Sequence, residues 1–252
     1  MRLIIKIKNT EVIEHIEREY IRNSIYQCLE SSIWSFYHDK PKYKHFCYSN
    51  LFPFDSKTGL INSDFSLIIS SPYGQLIETI QKKLGNEMML KLGDKNFEIL
   101  KMRSIKLPQN IDKIISATPI IVRLPQNLFD KYNVHSQNNY EFWKETEVLN
   151  AFLDLVMKNL LLRYKNFVME SEVLGFKTKY KSFADDLRLF STLKFKKVVY
   201  AWDKHFTGTM WEFGIAEDLK DSDIVKYLYE AGLGERNASS GSGFLNLINV
   251  DI

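Results

Sequence analysis

At 252 residues, with 45% hydrophobic and 26% charged side chains, the chain has the material for one large globular domain or two of ordinary size. A net charge of +3 excludes binding to polyanions through overall charge alone, so any nucleic-acid site must come from local clustering of the 34 Lys and Arg. Cys28 and Cys47 offer neither a zinc spacing nor a disulfide framework, and no apolar stretch reaches membrane-spanning length, so the expected setting is cytoplasmic with no membrane partner.

Leu3–Ile7 reads as a first strand. Val12, Ile13, Ile16, Tyr20, Ile25, Leu29, Ile33 and Phe36 then recur at three- and four-residue intervals, the spacing of an amphipathic helix. Strand-like segments follow at His45–Phe52 and Phe65–Ser70. A helix is predicted over Pro72–Leu84, with proline in its first turn, and two more strands at Met88–Leu92 and Phe97–Ile105. The order β-α-β-β-α-β is that of a ferredoxin-like unit.

Lys106–Ser116 reads as a connector, and beyond it the pattern restarts. Ile120–Leu124 is strand-like, and Tyr140–Tyr164 is apolar enough for a long helix. Val198–Trp202 with Thr209–Ile215 reads as a hairpin, Asp218–Ala231 as a helix and Phe244–Val250 as a closing strand. The expected fold class is α+β: two tandem ferredoxin-like units, residues 1–108 and 109–252.

Residues 232–243, Gly-Leu-Gly-Glu-Arg-Asn-Ala-Ser-Ser-Gly-Ser-Gly, hold four of the chain's 11 glycines and precede the apolar run 244–250. The pattern predicts a loop clamped between a helix and a final strand. Glycine permits positive φ and close approach to the backbone. Successive amide N–H groups form an anion-binding concavity, so a phosphate-bearing ligand is the natural candidate. No Gly-Lys-Ser/Thr ending is present, and the loop precedes a strand rather than a helix, which excludes a mononucleotide P-loop. Its position also excludes a dinucleotide fingerprint, which should follow the first strand of a βαβ unit.

On these glycines, Gly232, Gly234, Gly241 and Gly243, the chain resembles the CRISPR-associated endoribonucleases of the Cas-six family, whose C-terminal loop carries a G-x-G…G-x-G pattern. Ile115–Arg123 resembles the family's Ser-Pro strand, with Ala117 and Thr118 intervening between Ser116 and Pro119. Gly208–Gly214 is similar to the strand before the last helix. Tyr37-His38-Asp39 followed by Phe46–Ser49 is similar to the family's helix–histidine–loop–strand segment. The resemblance implies two RNA-recognition-motif-like units and cleavage of CRISPR repeat RNA in precursor transcripts, with no metal and no cofactor. In that reaction the 2′-hydroxyl attacks the adjacent phosphate and leaves a 2′,3′-cyclic phosphate and a 5′-hydroxyl. Precursor and processed repeat RNA are the implied partners; an interference complex and a homodimer are left open.

Such chemistry needs an acceptor for the 2′-hydroxyl proton, a donor for the leaving 5′-oxygen and positive charge about the phosphorane. Histidine as a residue type serves either proton role, since its ordinary pKa is ~6.5. Among the five histidines, His38 stands at the exit of the first helix before the basic run Lys40-Pro41-Lys42-Tyr43-Lys44-His45 and is the leading candidate, with His45 the alternative. Some family members pair the histidine with a tyrosine of the first helix and a lysine just after it. Tyr37 or Tyr26 fits the first role and Lys42 or Lys44 the second. Lys40, Lys177, Lys179 and Lys181 are the expected phosphate contacts, since alternate residues of an extended segment share a face. Gly232, Gly234, Arg236, Ser240, Gly241 and Gly243 join them in the loop. The aromatics interleaved with the lysines, Phe176, Tyr180, Phe183, Phe190 and Phe195, read as core. A non-catalytic repeat-RNA-binding protein on the same scaffold is the alternative function. A metabolic enzyme with a phosphate loop fits less well, since no Asp, Glu and His set for a metal is evident.

Overall fold

The computed structural model describes residues 1–13, 16–39, 43–55, 58, 60–144, 148–176, 188–201 and 206–248, and Arg2–Ile7 (β1) is the central strand of its first sheet. After it come α1 (Arg18–Leu29), β2 (Cys47–Tyr48), β3 (Phe65–Ser70), α2 (Gly74–Glu87), β4 (Met89–Leu92) and β5 (Lys95–Ile105). The sheet runs β2-β3-β1-β5-β4 with every neighbour antiparallel. Leu3, Ile5 and Ile7 alternate onto one fully buried face. Ile21, Ile25 and Leu29 of α1, and Leu76, Ile77, Ile80 and Leu84 of α2, are buried at the three- and four-residue spacing of a helix stripe. Burial of such side chains contributes ~1.5–3 kcal/mol each and accounts for this layer.

A second set repeats the plan. It comprises β6 (Lys113–Ser116), β7 (Arg123–Pro125), α3 (Phe129–Tyr132), β8 (Tyr140–Phe142), α4 (Leu149–Val173), β9 (Phe190–Ala201), β10 (Phe206–Ile215), α5 (Asp223–Ala231), α6 (Asn237–Ser240) and β11 (Leu245–Leu247). Its main sheet runs β11-β6-β10-β9, and β7 pairs with β8 in a separate ribbon. In both sheets the first strand is central, between the third and the last, with the second beyond the third. That is the ferredoxin-like order, so the α+β fold with two such units is borne out. By contacts, one unit comprises Met1–Pro108 and Asn237–Gly241, the other Gln109–Arg236 and Ser242–Ile252. Among the described residues no helix is long and apolar enough to cross a membrane.

Four expectations are corrected. The first helix is shorter than the periodicity of residues 12–36 suggests. Ile13 is taken into a bridge with Ile61, and at the other end Ser32 caps Leu29 O through both its amide (3.1 Å) and its hydroxyl (2.7 Å), offering the backbone an alternative to another turn. The supposed connector 106–116 contains β6, the central strand of the second sheet, whereas Ile120 and Ile121 form only single bridges, to Thr209 and Glu235. Tyr140–Phe142 is a strand because β7 pairs with it. The long helix begins at Leu149 and continues to Val173, with Gly175 at φ 76 and the Phe176 amide reaching back to Ser171 O, a C-terminal glycine stop. The predicted helix 218–231 begins only at Asp223, after a short 3-10 turn at Glu217–Leu219.

Candidate active site

The exit of α1 brings together three of the residues singled out in the sequence. A 3-10 turn at Ser35–Tyr37 ends on His38, whose amide donates to Ser35 O at 3.1 Å. The turn presents the imidazole outward, with its side chain 68% exposed, while Nδ1 lies 2.7 Å from Asp39 Oδ1. Tyr26, in the last turn of α1 and on its buried side, sets its ring edge-on to that imidazole, with centroids 5.5 Å apart. Lys44 returns on the following segment, and its Nζ donates to Tyr26 Oη at 2.7 Å and to His38 O at 3.3 Å. One ammonium thus ties the helix, the histidine backbone and the segment leading to β2.

The electrostatics follow from partial burial. Tyr26 is pushed up to about 12 by desolvation, only partly offset by Arg22, so its hydroxyl stays neutral and keeps its proton. Lys44 is lowered, first by desolvation and then by Arg22, with Asp39 opposing. Arg18, Arg22 and Tyr26 stand four residues apart on α1 and therefore on one face. Arg18 donates to Ser240 O and to Asn50 Oδ1, and its own carbonyl accepts Tyr48 Oη at 3.1 Å. This basic stripe was readable in the four-residue spacing and was not singled out.

Other expected site residues lie elsewhere. Tyr37 is completely buried against Trp34, Phe36 and Phe46, because the 3-10 turn that exposes residue 38 points residue 37 inward. His45 is likewise at 0% exposure, beside Tyr73, and its carbonyl accepts Ser71 Oγ at 2.6 Å. Lys40, Lys42, Lys177, Lys179 and Lys181 lie outside the described residues. Among those described, no group of three or more His, Cys, Asp and Glu could hold a metal ion.

The glycine-rich segment differs from the open anion cradle expected of it. Gly232, Gly234, Gly241 and Gly243 all have positive φ, and all are buried. The close approach they permit is to the protein's own backbone. A Cβ on Gly234 would sit 2.7 Å from Ile121 O, and one on Gly241 2.6 Å from Tyr48 O. The amides of residues 232, 233, 235, 241 and 243 donate to the carbonyls of Leu228, Gly243, Ile121, Asn237 and Pro119. Ser240 is buried in α6, while Arg236 is exposed at φ 61. On the carbonyl side, the buried Arg163 of α4 donates to Ala231 O (2.7 Å), Gly232 O (2.9 Å) and Gly234 O (3.3 Å). A cation within the apolar stripe Val156, Leu160, Tyr164, Phe167 was the sequence signal for this clamp, and it was missed.

The family model for the C-terminal part of CRISPR associated protein Cas6 matches residues 103–247. The CRISPR-associated endoribonuclease Cas6 2 of Methanocaldococcus jannaschii is 25% identical over 259 residues, covering 98% of this chain and 99% of that protein. A solved structure of a Cas6-related protein from Pyrococcus furiosus superposes with a TM-score of 0.67 at 22% identity over 100% and 99% of the two chains. Another, described as a RAMP protein binding different RNA substrates, gives 0.65 at 21% over 99% and 100%.

Proposed function

This chain belongs to the Cas6 family of CRISPR-associated proteins, and from that premise we propose that it is an endoribonuclease cutting CRISPR repeat RNA in precursor transcripts to release guide RNAs. The observation that carries the reading is the junction of His38, Tyr26 and Lys44 at the exit of α1. The endoribonuclease name of the Methanocaldococcus relative supports it.

The reaction assigned to the site is internal transesterification. The 2′-oxygen forms a bond to the adjacent phosphorus as its proton passes to a base. The bond from phosphorus to the 5′-oxygen breaks as that oxygen receives a proton. The products are a 2′,3′-cyclic phosphate and a 5′-hydroxyl, and no water is consumed. His38 is exposed and able to accept or donate a proton, and it takes the acid–base role. The Lys44 ammonium offers charge to the phosphorane. The Tyr26 hydroxyl, which burial pushes still further from ionising, fixes that ammonium and keeps its own proton for a substrate oxygen. Tyr37 and His45 take no part, since neither reaches solvent.

The test is to incubate repeat RNA with the protein in EDTA and determine the new termini by mass. Cyclic phosphate and 5′-hydroxyl ends are expected; linear 3′-phosphates or 5′-phosphates, or loss of cleavage in EDTA, would contradict the chemistry. The likeness to a RAMP protein described only as binding RNA favours a second reading, repeat-RNA binding without cleavage, which the same incubation decides.

A further inference from the structure

Beside the glycine-rich segment, five side chains of the second unit form a ladder of guanidinium and aromatic groups. Tyr140 and Phe142 alternate on β8 and so share a face; their rings meet edge to face, 5.4 Å apart at 79°. Phe142 in turn meets Phe206, at the start of β10, at 5.8 Å and 76°. At one end the Arg236 guanidinium lies 4.1 Å from the Phe206 centroid. At the other, the Arg123 guanidinium lies 5.4 Å from that of Tyr140. Arg123, Tyr140 and Arg236 are exposed, and Phe142 and Phe206 are half-buried, so this cluster is not core.

The backbone supplies an independent observation. Arg236 sits at φ 61, a conformation that costs a side-chain-bearing residue energy and that the neighbouring glycines adopt without strain. Glu235 holds it there. Its amide donates to Ile121 O at 2.9 Å, and its carboxylate accepts the Arg123 amide at 3.0 Å and Arg123 Nε at 2.5 Å. The carboxylate thus fixes the Arg123 end of the ladder, while the Glu235 amide anchors the backbone just before Arg236. A loop that needed only the bend would be served by glycine at 236; the arginine adds a planar cation over a ring.

We propose that Arg236, Phe206, Phe142, Tyr140 and Arg123 form a stacking site for unpaired nucleobases of an RNA. The proposal rests on the reading of the chain as a repeat-RNA enzyme and adds where that RNA must be single-stranded. Aromatic faces and guanidinium planes stack on splayed bases with little regard to sequence, and a cation over a ring is held by the ring's quadrupole. The ladder selects unstacked RNA by shape and leaves phosphate chemistry to the residues around His38.

The experiment uses the full chain and the repeat RNA oligonucleotide of its own CRISPR array, with 2-aminopurine placed at successive positions. Variants are Arg236→Gly, which keeps the backbone conformation, Phe206→Leu, which keeps apolar volume, and Phe206→Tyr, which keeps the ring. With the unaltered protein, 2-aminopurine at one or two positions is quenched on binding. Arg236→Gly and Phe206→Leu abolish that quenching and weaken binding by roughly 5- to 150-fold, the range for loss of one stacked base. Phe206→Tyr restores both. Wild-type quenching and affinity in Arg236→Gly and Phe206→Leu overturn the ladder alone. Equal behaviour of Phe206→Leu and Phe206→Tyr overturns it too, marking an apolar anchor such as a peptide would use. An unaltered protein that neither binds nor cuts the repeat RNA overturns the proposed function and this site with it.

Discussion

Tyr26→Phe deletes the oxygen that accepts Lys44 Nζ at 2.7 Å and leaves the ring that meets His38 at 5.5 Å and Phe46 at 6.0 Å. Lys44 keeps its second acceptor, the carbonyl of His38. A hydrogen bond to a charged group contributes about 1.5–3 kcal/mol when enclosed. Lys44 is half-buried, so screening by solvent brings the expected loss of stability to about 1 kcal/mol. The rate should suffer far more. A misplaced acid, base or charge costs ~10²–10⁴-fold, roughly 3–5 kcal/mol of barrier. Lys44→Met removes the other partner and should cost the same order. Because residues that act as one unit are not additive, the double variant should be no slower than the worse single. The assay is single-turnover cleavage of repeat RNA at saturating protein for the four members of the cycle, with melting temperatures alongside. Additive losses, or a Tyr26→Phe rate within about threefold of the unaltered protein, refute the reasoning.

Two further outcomes follow from the same geometry. Lys44 is held below the ordinary lysine value by burial and by Arg22, so its charge is lost as pH rises at a lower pH than for a free lysine, and the alkaline fall in cleavage rate begins correspondingly early. Arg22→Gln removes one depressing cause and should move that fall to higher pH; an unshifted pH–rate profile would deny Lys44 the role. Gly234→Ala places a Cβ 2.7 Å from Ile121 O at φ 77 and should destabilise by about 2–3 kcal/mol, whereas Gly175→Ala, at φ 76 with open space, carries only the conformational cost of about 1 kcal/mol. Those figures correspond to melting shifts of roughly 4–12 °C and 2–4 °C in thermal denaturation, and equal shifts would show that packing at Gly234 is not what its glycine protects.

Much of the fold was legible because alternation and helical periodicity mark buried faces directly. Leu3–Ile7, Phe65–Ser70 and the stripe on α2 sit where the sequence puts them. Strand β6 escaped notice because its four residues follow Pro108, Gln109 and Asn110 and draw their identity from neighbours distant in sequence, β10 and β11. Tyr140–Phe142 read as helix for the same reason, since pairing with Arg123–Pro125 overrides local propensity. In the candidate site, His38 could be picked out from its position after a helix. The choice between Tyr26 and Tyr37 could not, because it turns on Ser32 stopping the helix early and on a 3-10 turn that sends residue 37 inward. The glycines signalled close approach, but a sequence does not say whether a ligand or the protein's own chain approaches; here Ile121 and Tyr48 do. Arg163 reaches carbonyls 68 to 71 residues away, and the ladder from Arg123 to Arg236 joins segments separated in the chain, so both left only faint marks.

The central claim is that the imidazole at the exit of α1 moves a proton during cleavage. Single-turnover kinetics of His38→Ala on repeat RNA, with binding measured in parallel, tests it most directly. The account predicts an unchanged dissociation constant and a cleavage rate lower by ~10²–10⁴-fold. A variant that cuts at the unaltered rate, or that loses cleavage only because it no longer binds, would contradict it.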